Sequence, residues 1–231
     1  MLRRILAALA LASTLPGAAT AQTPPDLVAI PATDGGTVQA DVYGRGARAV
    51  VLLHGGRFDK SSWKPQADVL VQRGFRVVAI DFRASVEGRA GRDTPCVYDA
   101  VCLAKDVTAT LAYLRRTGAT SIALVGASLG GGAAAQAAID AAPGTIDRVV
   151  LLAHMTVDHP ERLKTPALFI VARDDANASG RRLPGIREQY EKARGPKELV
   201  VLDGAAHAQF LFASPQGEAT MQAILRFLGA T

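Results

Sequence analysis

From Ala47 onward, short and almost wholly apolar runs alternate with longer segments in which apolar residues recur at helical spacing. Such runs are typical of strands that are buried on both faces of a parallel sheet, and the alternation predicts helices that cover the sheet. The predicted strands are Arg48–Leu53, Arg76–Ile80, Ser121–Val125, Asp147–Ala153, Ala167–Ala172 and Glu198–Leu202. The predicted helices are Trp63–Gln72, Cys102–Arg116, Leu129–Ala141, Ile186–Ala193 and Gly217–Leu228.

Two β-compatible runs precede this alternation. Leu27–Pro31 and Thr37–Tyr43 are separated by Asp34-Gly35-Gly36, which predicts an antiparallel hairpin at one edge of the sheet. With 231 residues, 49% of them hydrophobic, the chain is long enough for one sizeable core. We therefore expect a single α/β domain over residues 22–231, with a mostly parallel sheet of about eight strands and helices on both faces. The stretch Phe82–Pro95 is predicted to be a long loop.

The first 21 residues have the pattern of a secretory signal peptide. Arg3 and Arg4 precede the apolar stretch Ile5–Leu15, and Ala19-Thr20-Ala21 has the small-x-small form of a cleavage site. The apolar stretch is shorter than the ~20 residues that cross a bilayer, which disfavours an uncleaved anchor helix. We expect a mature chain that begins at Gln22, is periplasmic or secreted, and has no stable membrane insertion.

The predicted export affects how the two cysteines are interpreted. Cys96 and Cys102 flank the short segment Val-Tyr-Asp-Ala-Val. In an oxidising compartment, a lone pair at this distance favours a disulfide, because a metal site would need more ligands and a redox pair a C-x-x-C spacing. The sequence therefore predicts a Cys96–Cys102 bridge.

The charge balance argues against a nucleic-acid partner. The net charge is +5, and Arg3 and Arg4 of the predicted signal peptide supply two of these charges. A surplus this small and scattered is not the basic patch that nucleic-acid binding needs.

The segment Gly126-Ala127-Ser128-Leu129-Gly130 lies where a predicted buried strand meets a predicted helix of small residues. A G-x-S-x-G in that position holds a serine nucleophile in a tight turn, where the flanking positions tolerate little beyond glycine. The pattern alone also occurs in plain glycine-rich loops. Its context makes Ser128 the candidate nucleophile.

Other polar residues also follow predicted strands, and the carboxyl ends of parallel strands share one edge of a sheet. Serine hydrolysis needs a base, an acid that orients the base, and backbone donors for the oxyanion. The order Ser128, an aspartate, then His207 supplies a nucleophile, an acid and a base. The residues expected at this edge with Ser128 are His54-Gly55-Gly56, Asp81, Asp174-Asp175 and His207.

Taken together, these segments resemble the α/β-hydrolase superfamily, in particular its small lidless members of the dienelactone-hydrolase and serine-esterase type. The resemblance covers residues 37–228. It departs in two places: dienelactone hydrolases carry cysteine at the position of Ser128, and family members usually have glycine at that of Ala172. The motifs that carry it are Leu53-His54-Gly55-Gly56, Val78-Ala79-Ile80-Asp81-Phe82-Arg83, Gly126-Ala127-Ser128-Leu129-Gly130-Gly131, Phe169-Ile170-Val171-Ala172-Arg173-Asp174-Asp175 and Gly204-Ala205-Ala206-His207.

The resemblance implies a Ser128, Asp175 and His207 triad. Ser128 would attack the acyl carbon and His207 would be the base. The family spacing selects Asp175 as the acid, with the adjacent Asp174 as the alternative and Asp158 as a remote third.

The resemblance also implies an oxyanion hole from the N–H groups of Leu129 and Gly56, with Arg57 as the alternative to Gly56. In the family, the histidine at the position of His54 supports this loop rather than the chemistry.

Only His154–Thr165 separates two predicted strands at the place where family members insert a lid, so we expect no cap domain and an open pocket. Arg57, Phe58 and His154 are candidate substrate contacts, and the alternative for His154, which the residue type favours, is a rim histidine whose hydrogen bonds are satisfied. Four aromatic residues are candidate acyl or aryl contacts, with core packing as the alternative. They are Phe58, Trp63, Phe82 and Phe210.

The expected function is hydrolysis of a small or polymer-bound carboxylic ester through an acyl-enzyme, without metal or cofactor. An acyltransferase or an amidase would use the same triad. A non-catalytic binding protein on a hydrolase fold is the alternative of a different class.

Overall fold

The computed structural model describes residues 24–84 and 99–230. Strands are numbered in chain order, and β8 and β9 form a small separate hairpin. The strands are β1 (Asp26–Pro31), β2 (Thr37–Tyr43), β3 (Arg48–Leu53), β4 (Arg76–Asp81), β5 (Ser121–Ala127), β6 (Arg148–Leu152), β7 (Ala167–Ala172), β8 (Ala176–Asn177), β9 (Gly180–Arg181) and β10 (Lys197–Leu202). The helices are α1 (Lys64–Gln72), α2 (Ala100–Arg116), α3 (Leu129–Asp140), α4 (Leu183–Lys192) and α5 (Gly217–Leu228).

The main sheet has eight strands in the order β1-β2-β4-β3-β5-β6-β7-β10. β1 pairs antiparallel with β2, and β2 pairs antiparallel with β4. All the other neighbours pair in parallel. The predicted edge hairpin and the predicted mostly parallel sheet of about eight strands are therefore confirmed.

Helices cover both faces of this sheet, as predicted. The connection from β3 to β4 moves toward the β1 edge of the sheet. The later connections, from β4 to β5, β6, β7 and β10 in turn, all move toward the opposite edge. Because such crossovers are right-handed, α1 lies on one face and α2, α3 and α4 lie on the opposite face. α5 joins α1, since Arg73 Nη1, just after α1, donates to the carbonyl of Ala230 just after α5 at 2.9 Å.

Local sequence explains where the helices begin and how closely they pack. The Asp99 carboxylate accepts hydrogen bonds from the N–H groups of Val101 and Cys102, which caps the first turn of α2. α3 is built almost wholly from small buried residues, so its backbone lies close to the sheet. A Cβ added at Gly131 would lie 2.6 Å from the Cβ of His154, which shows how little space separates α3 from the end of β6.

The connection from β6 to β7 is short. It contains one 3-10 turn, Pro160–Arg162, and no cap domain is present within residues 24–84 and 99–230. The carboxyl edge of the sheet is therefore left uncovered at this point. In the same ranges, no helix is both long and apolar enough to span a membrane.

Some predictions fall on residues outside the described ranges. These are the signal peptide over residues 1–21 and most of the loop predicted over residues 82–95. Cys96 also lies outside them, while Cys102 belongs to the first turn of α2. The Cys96–Cys102 disulfide thus stays a prediction.

Candidate active site

Ser128 is the single residue between β5 and α3. Its backbone has φ 51° and ψ −112°, a conformation that non-glycine residues rarely adopt. The Ser128 N–H donates to the carbonyl of Leu152 at 2.8 Å, and the Ser128 carbonyl accepts from the N–H of Met155 at 2.8 Å. β6 and the residues after it therefore hold the serine in this turn.

The glycines on either side of Ser128 are required for space. A Cβ at Gly126 would lie 2.3 Å from the carbonyl oxygen of Gly130. A Cβ at Gly130 would lie 2.3 Å from the carbonyl oxygen of Leu53. Backbone atoms cannot move aside as a flexible side chain can, so the turn closes only with glycine at both positions.

A chain of hydrogen bonds joins the serine to a histidine and an aspartate. His207 Nε2 lies 2.9 Å from Ser128 Oγ, and His207 Nδ1 lies 2.7 Å from Asp175 Oδ2. The side chain of Asp175 is 1% exposed and that of His207 is 28% exposed. An imidazole that donates from Nδ1 to a buried carboxylate presents the Nε2 lone pair to the hydroxyl. The arrangement can therefore accept the proton of Ser128.

The two adjacent aspartates have different surroundings. Asp174 pairs with Arg181 Nη1 on the β8–β9 hairpin, and its side chain is 46% exposed. Asp175 is buried and lies against His207. Of the two candidate acids, the structure brings Asp175 to the histidine and turns Asp174 away.

Arg182 belongs to this site although the sequence analysis did not find it. Its N–H donates to the carbonyl of Asp175 at 2.9 Å, and its Nε lies 3.5 Å from Asp175 Oδ1. The β8–β9 hairpin returns the chain to the aspartate and thereby places this positive charge beside it. No motif marks that return, because the hairpin strands are only two residues long.

Residues with unpaired backbone N–H groups in the described structure line the same cavity as Ser128. The Phe58 N–H donates to the carbonyl of Gly55 at 3.0 Å and closes a turn with Gly56 and Arg57 at its apex. Among the described residues, the N–H groups of Gly56, Arg57 and Leu129 donate to no acceptor. Leu129 begins α3, where the first N–H groups and the helix dipole both favour negative charge. The predicted oxyanion donors therefore lie around one space.

The loop that carries Gly56 rests on His54. His54 is wholly buried, with Nδ1 2.9 Å from the Gly55 carbonyl and Nε2 accepting from the Phe82 N–H at 3.4 Å. Burial lowers the pKa of His54, so the ring is neutral, with Nδ1 as donor. Gln209, which the sequence analysis missed, accepts a hydrogen bond from the Gly55 N–H on its Oε1 at 2.7 Å.

The serine, the histidine and the residues with unpaired N–H groups line a cavity of about 390 Å³. Phe58 and Phe210 form part of its wall, with ring centroids 4.9 Å apart. Trp63 and Phe82, which were also candidate contacts, are fully buried in the core instead. The lining residues are Gly55, Gly56, Arg57, Phe58, Ser128, Leu129, Met155, Asn177, Arg182, His207, Ala208 and Phe210.

The candidate contact His154 does not reach this cavity, which corrects that expectation. The residue is 3% exposed, and its ring packs edge-on against Phe169 with centroids 5.4 Å apart. Ala153 has φ 42°, and the chain at this bend directs His154 under α3 while Met155 lines the cavity. Burial lowers the pKa of His154 to about 4, so the ring is a neutral core side chain.

Metal ligation has no support in the described part of the chain. There, no group of three or more His, Cys, Asp or Glu side chains is arranged to hold a metal ion.

Comparison with known proteins supports the fold. A family model described as "alpha/beta hydrolase fold" matches residues 48–191. A dienelactone hydrolase structure from Anabaena variabilis has 24% identity and a TM-score of 0.70, covering 90% of this chain and 98% of that one. An esterase structure from Pyrococcus furiosus has 19% identity and a TM-score of 0.71, covering 89% of this chain and 91% of that one. No curated protein sequence matches the chain.

Proposed function

The chain belongs to the α/β-hydrolase family, and from that premise we propose that it is a serine hydrolase that cleaves a carboxylic ester through an acyl-enzyme. One observation carries the proposal. Ser128 Oγ is 2.9 Å from His207 Nε2, in a cavity that Leu129 and Gly56 also line. That the proposed nucleophile, base and oxyanion donors line one cavity supports the proposal.

In the first step, Ser128 Oγ attacks the acyl carbon while His207 Nε2 takes its proton. The buried Asp175 carboxylate, 2.7 Å from Nδ1, stabilises the imidazolium that forms. The negative oxygen of the tetrahedral intermediate accepts hydrogen bonds from the N–H groups of Leu129 and of Gly56 or Arg57. One such donor is worth about 10²–10³ in rate.

Collapse of the intermediate breaks the bond between the acyl carbon and the alcohol oxygen. His207 then gives its proton to the departing alkoxide, and the acyl group stays on Ser128 Oγ as an ester. A water molecule enters from the open side of the cavity, gives a proton to His207 and attacks the acyl carbon. Collapse of the second tetrahedral intermediate breaks the bond from that carbon to Ser128 Oγ, which takes the proton back from His207 as the acid leaves. The second tetrahedral oxyanion uses the same backbone donors.

The cavity favours a small acyl or aryl ester. Met155 and the Phe58–Phe210 pair form its apolar wall, and about 390 Å³ is at the small end of the range for ligand pockets, roughly 300–1,000 Å³. No cap covers the rim within residues 24–84 and 99–230, so the ester can belong to a free molecule or to a polymer. If residues 1–21 are a signal peptide, the enzyme works in the periplasm or outside the cell.

A substrate panel tests this proposal. p-Nitrophenyl esters from acetate to octanoate and matched anilides would be assayed with the wild-type protein and with Ser128→Ala. We expect the short esters to be hydrolysed fastest, with a loss of roughly 10⁴-fold or more in Ser128→Ala. Cleavage of anilides alone would indicate an amidase, and transfer to an added alcohol an acyltransferase. No turnover above the uncatalysed rate on any substrate would indicate a non-catalytic binding protein, and equal turnover by both proteins would contradict the role of Ser128.

A further inference from the structure

We propose that Gln209 is a positioning residue that orients the oxyanion donors of the Gly55–Phe58 turn. This inference rests on the proposed function. Gln209 does not touch the reacting atoms, and it acts through the backbone of Gly55.

The Gln209 amide is fixed at both of its ends. Its Oε1 accepts from the Gly55 N–H at 2.7 Å, and its Nε2 donates to Ser62 Oγ at 2.9 Å. The Ser62 hydroxyl donates to the Asp59 carbonyl, so its oxygen is free to accept from Gln209. Reversing the amide would place an NH₂ group against the Gly55 N–H. The contacts therefore allow one orientation, and the residue is only 6% exposed.

The turn itself supplies little rigidity. Gly55 and Gly56 are consecutive glycines, which have more backbone freedom than any other residue. A Cβ added at Gly56 would lie within 4 Å of no other described atom, so this side of the turn is open. His54 Nδ1 and the Phe58 N–H hold the Gly55 carbonyl. Gln209 is the partner of the Gly55 N–H, and together these bonds set the direction of the peptide groups that follow.

Gln209 also links the oxyanion turn to the base. It lies two residues after His207, in the 3-10 turn Ala208–Ala213, and 154 residues after Gly55. Ala208 between them has φ 51° and lines the cavity. The same short segment thus places the imidazole on one side of Ser128 and anchors the donors on the other.

The bond also decides which donors are available. With the Gly55 N–H directed at Gln209, the unpaired donors of the turn among the described residues are Gly56 and Arg57. A merely structural glutamine would satisfy one buried N–H and affect stability alone. A positioning glutamine affects the transition state, in which the oxyanion forms, more than substrate binding.

Gln209→Met tests the inference, because methionine is unbranched and similar in length but offers no amide. On a short p-nitrophenyl ester, we expect kcat to fall about 10–100-fold and KM to change less than about 3-fold. Affinity for an alkyl boronic acid, whose adduct on Ser128 is tetrahedral, should fall by a similar factor to kcat. Gln189→Met, the same substitution at a buried glutamine that bonds the Val157 backbone instead, should lower kcat less than about 3-fold.

Thermal unfolding would show whether each variant is folded. If Gln209→Met does not fold, Gln209→Asn replaces it, because the asparagine side chain is too short to reach Gly55. The inference is overturned if kcat stays within about 3-fold of wild type, or if kcat falls while boronate affinity is unchanged. In either case the wild-type enzyme remains active and the proposed function stands. A wild-type protein that hydrolyses no ester overturns both.

Discussion

The two ends of the parallel sheet each carry a cavity of similar size. The one at the carboxyl ends of the strands measures about 390 Å³ and the one at the amino ends about 430 Å³. At the amino end, Arg76 donates to the carbonyls of Leu114 and Thr117, and Arg45 forms a long, exposed ion pair with Asp26. The Arg76 contacts satisfy carbonyl groups at the end of α2, and the Arg45–Asp26 pair links two exposed side chains. The amino-end cavity is lined by Asp26, Val42, Gly44, Arg45, Gly46, Arg76, Tyr113, Thr117 and Gly118.

The polar groups at the carboxyl end are connected in a definite order. A buried carboxylate holds an imidazole, the imidazole reaches a hydroxyl, and unpaired N–H groups line the same space. The two cavities therefore do not differ in volume. They differ in how their hydrogen-bond donors and acceptors are connected.

Single substitutions should separate the two ends of the sheet by their effect on activity. Asp175→Asn should lower kcat/KM for a p-nitrophenyl ester by about 10³–10⁴-fold, because an amide cannot stabilise the imidazolium of His207. Asp174→Asn, which loses a surface ion pair with Arg181, should stay within about 3-fold of wild type. Arg45→Ala at the amino-end cavity should have no larger effect. A deeper loss in Asp174→Asn than in Asp175→Asn would show that the acid is misassigned.

Glycines at the two ends should differ in their contribution to stability. Alanine at Gly126 would place its Cβ 2.3 Å from the Gly130 carbonyl oxygen and force backbone to move. We expect Gly126→Ala to lower the free energy of unfolding by about 3–5 kcal/mol. Gly118 at the amino end has φ +92° with no atom within 4 Å of an added Cβ, so Gly118→Ala should cost only about 1–2 kcal/mol. Urea titration measures both, and equal costs would refute the packing argument.

The buried imidazole of His154 should make stability depend on pH. Its pKa in the folded protein is about 4, below the ordinary 6.5, so the unfolded chain takes up a proton first as the pH falls. The contribution of the neutral His154 ring to the free energy of unfolding is fully present above pH 6.5. It is lost progressively as the pH falls to about 4. The loss should be on the order of 3 kcal/mol.

His154→Phe keeps a ring against Phe169 but cannot bind a proton. It should flatten the dependence of the free energy of unfolding on pH over this window, as measured by urea titrations at several pH values. His159→Phe is the matched control, because His159 is 64% exposed in a surface pair with Glu161. An unchanged slope in His154→Phe would contradict the assignment.

The sequence predicted the elements of the fold closely, because apolar periodicity and glycine stops record burial directly. Ala167–Ala172 and Gly217–Leu228 have the same bounds in prediction and structure. The strand predicted over Ser121–Val125 continues to Ala127, directly before the serine. The meeting of Ser128 and His207 with an aspartate followed from the same logic, since each comes after a parallel strand, and the family resemblance selected Asp175 over Asp174.

Side chains just beyond the strand ends were harder to place. Ala153 and Ala208 both have positive φ, at 42° and 51°, and alanine gives no sequence signal of such a bend. The first bend buries His154 and exposes Met155 to the cavity, and the second precedes Gln209. The contact between Arg182 and Asp175 likewise depends on the path of a hairpin with two-residue strands. These positions are decided by tertiary packing rather than by local pattern.

The covalent step at Ser128 is the central claim, and mass spectrometry after incubation with a fluorophosphonate measures it directly. The reagent phosphonylates a serine only where a base and oxyanion donors activate it. We expect one adduct per chain, located on the peptide that contains Ser128. The adduct should be absent from Ser128→Ala and should form much more slowly in His207→Ala. A folded wild-type protein that gains no mass, or that is labelled at another residue, would contradict it.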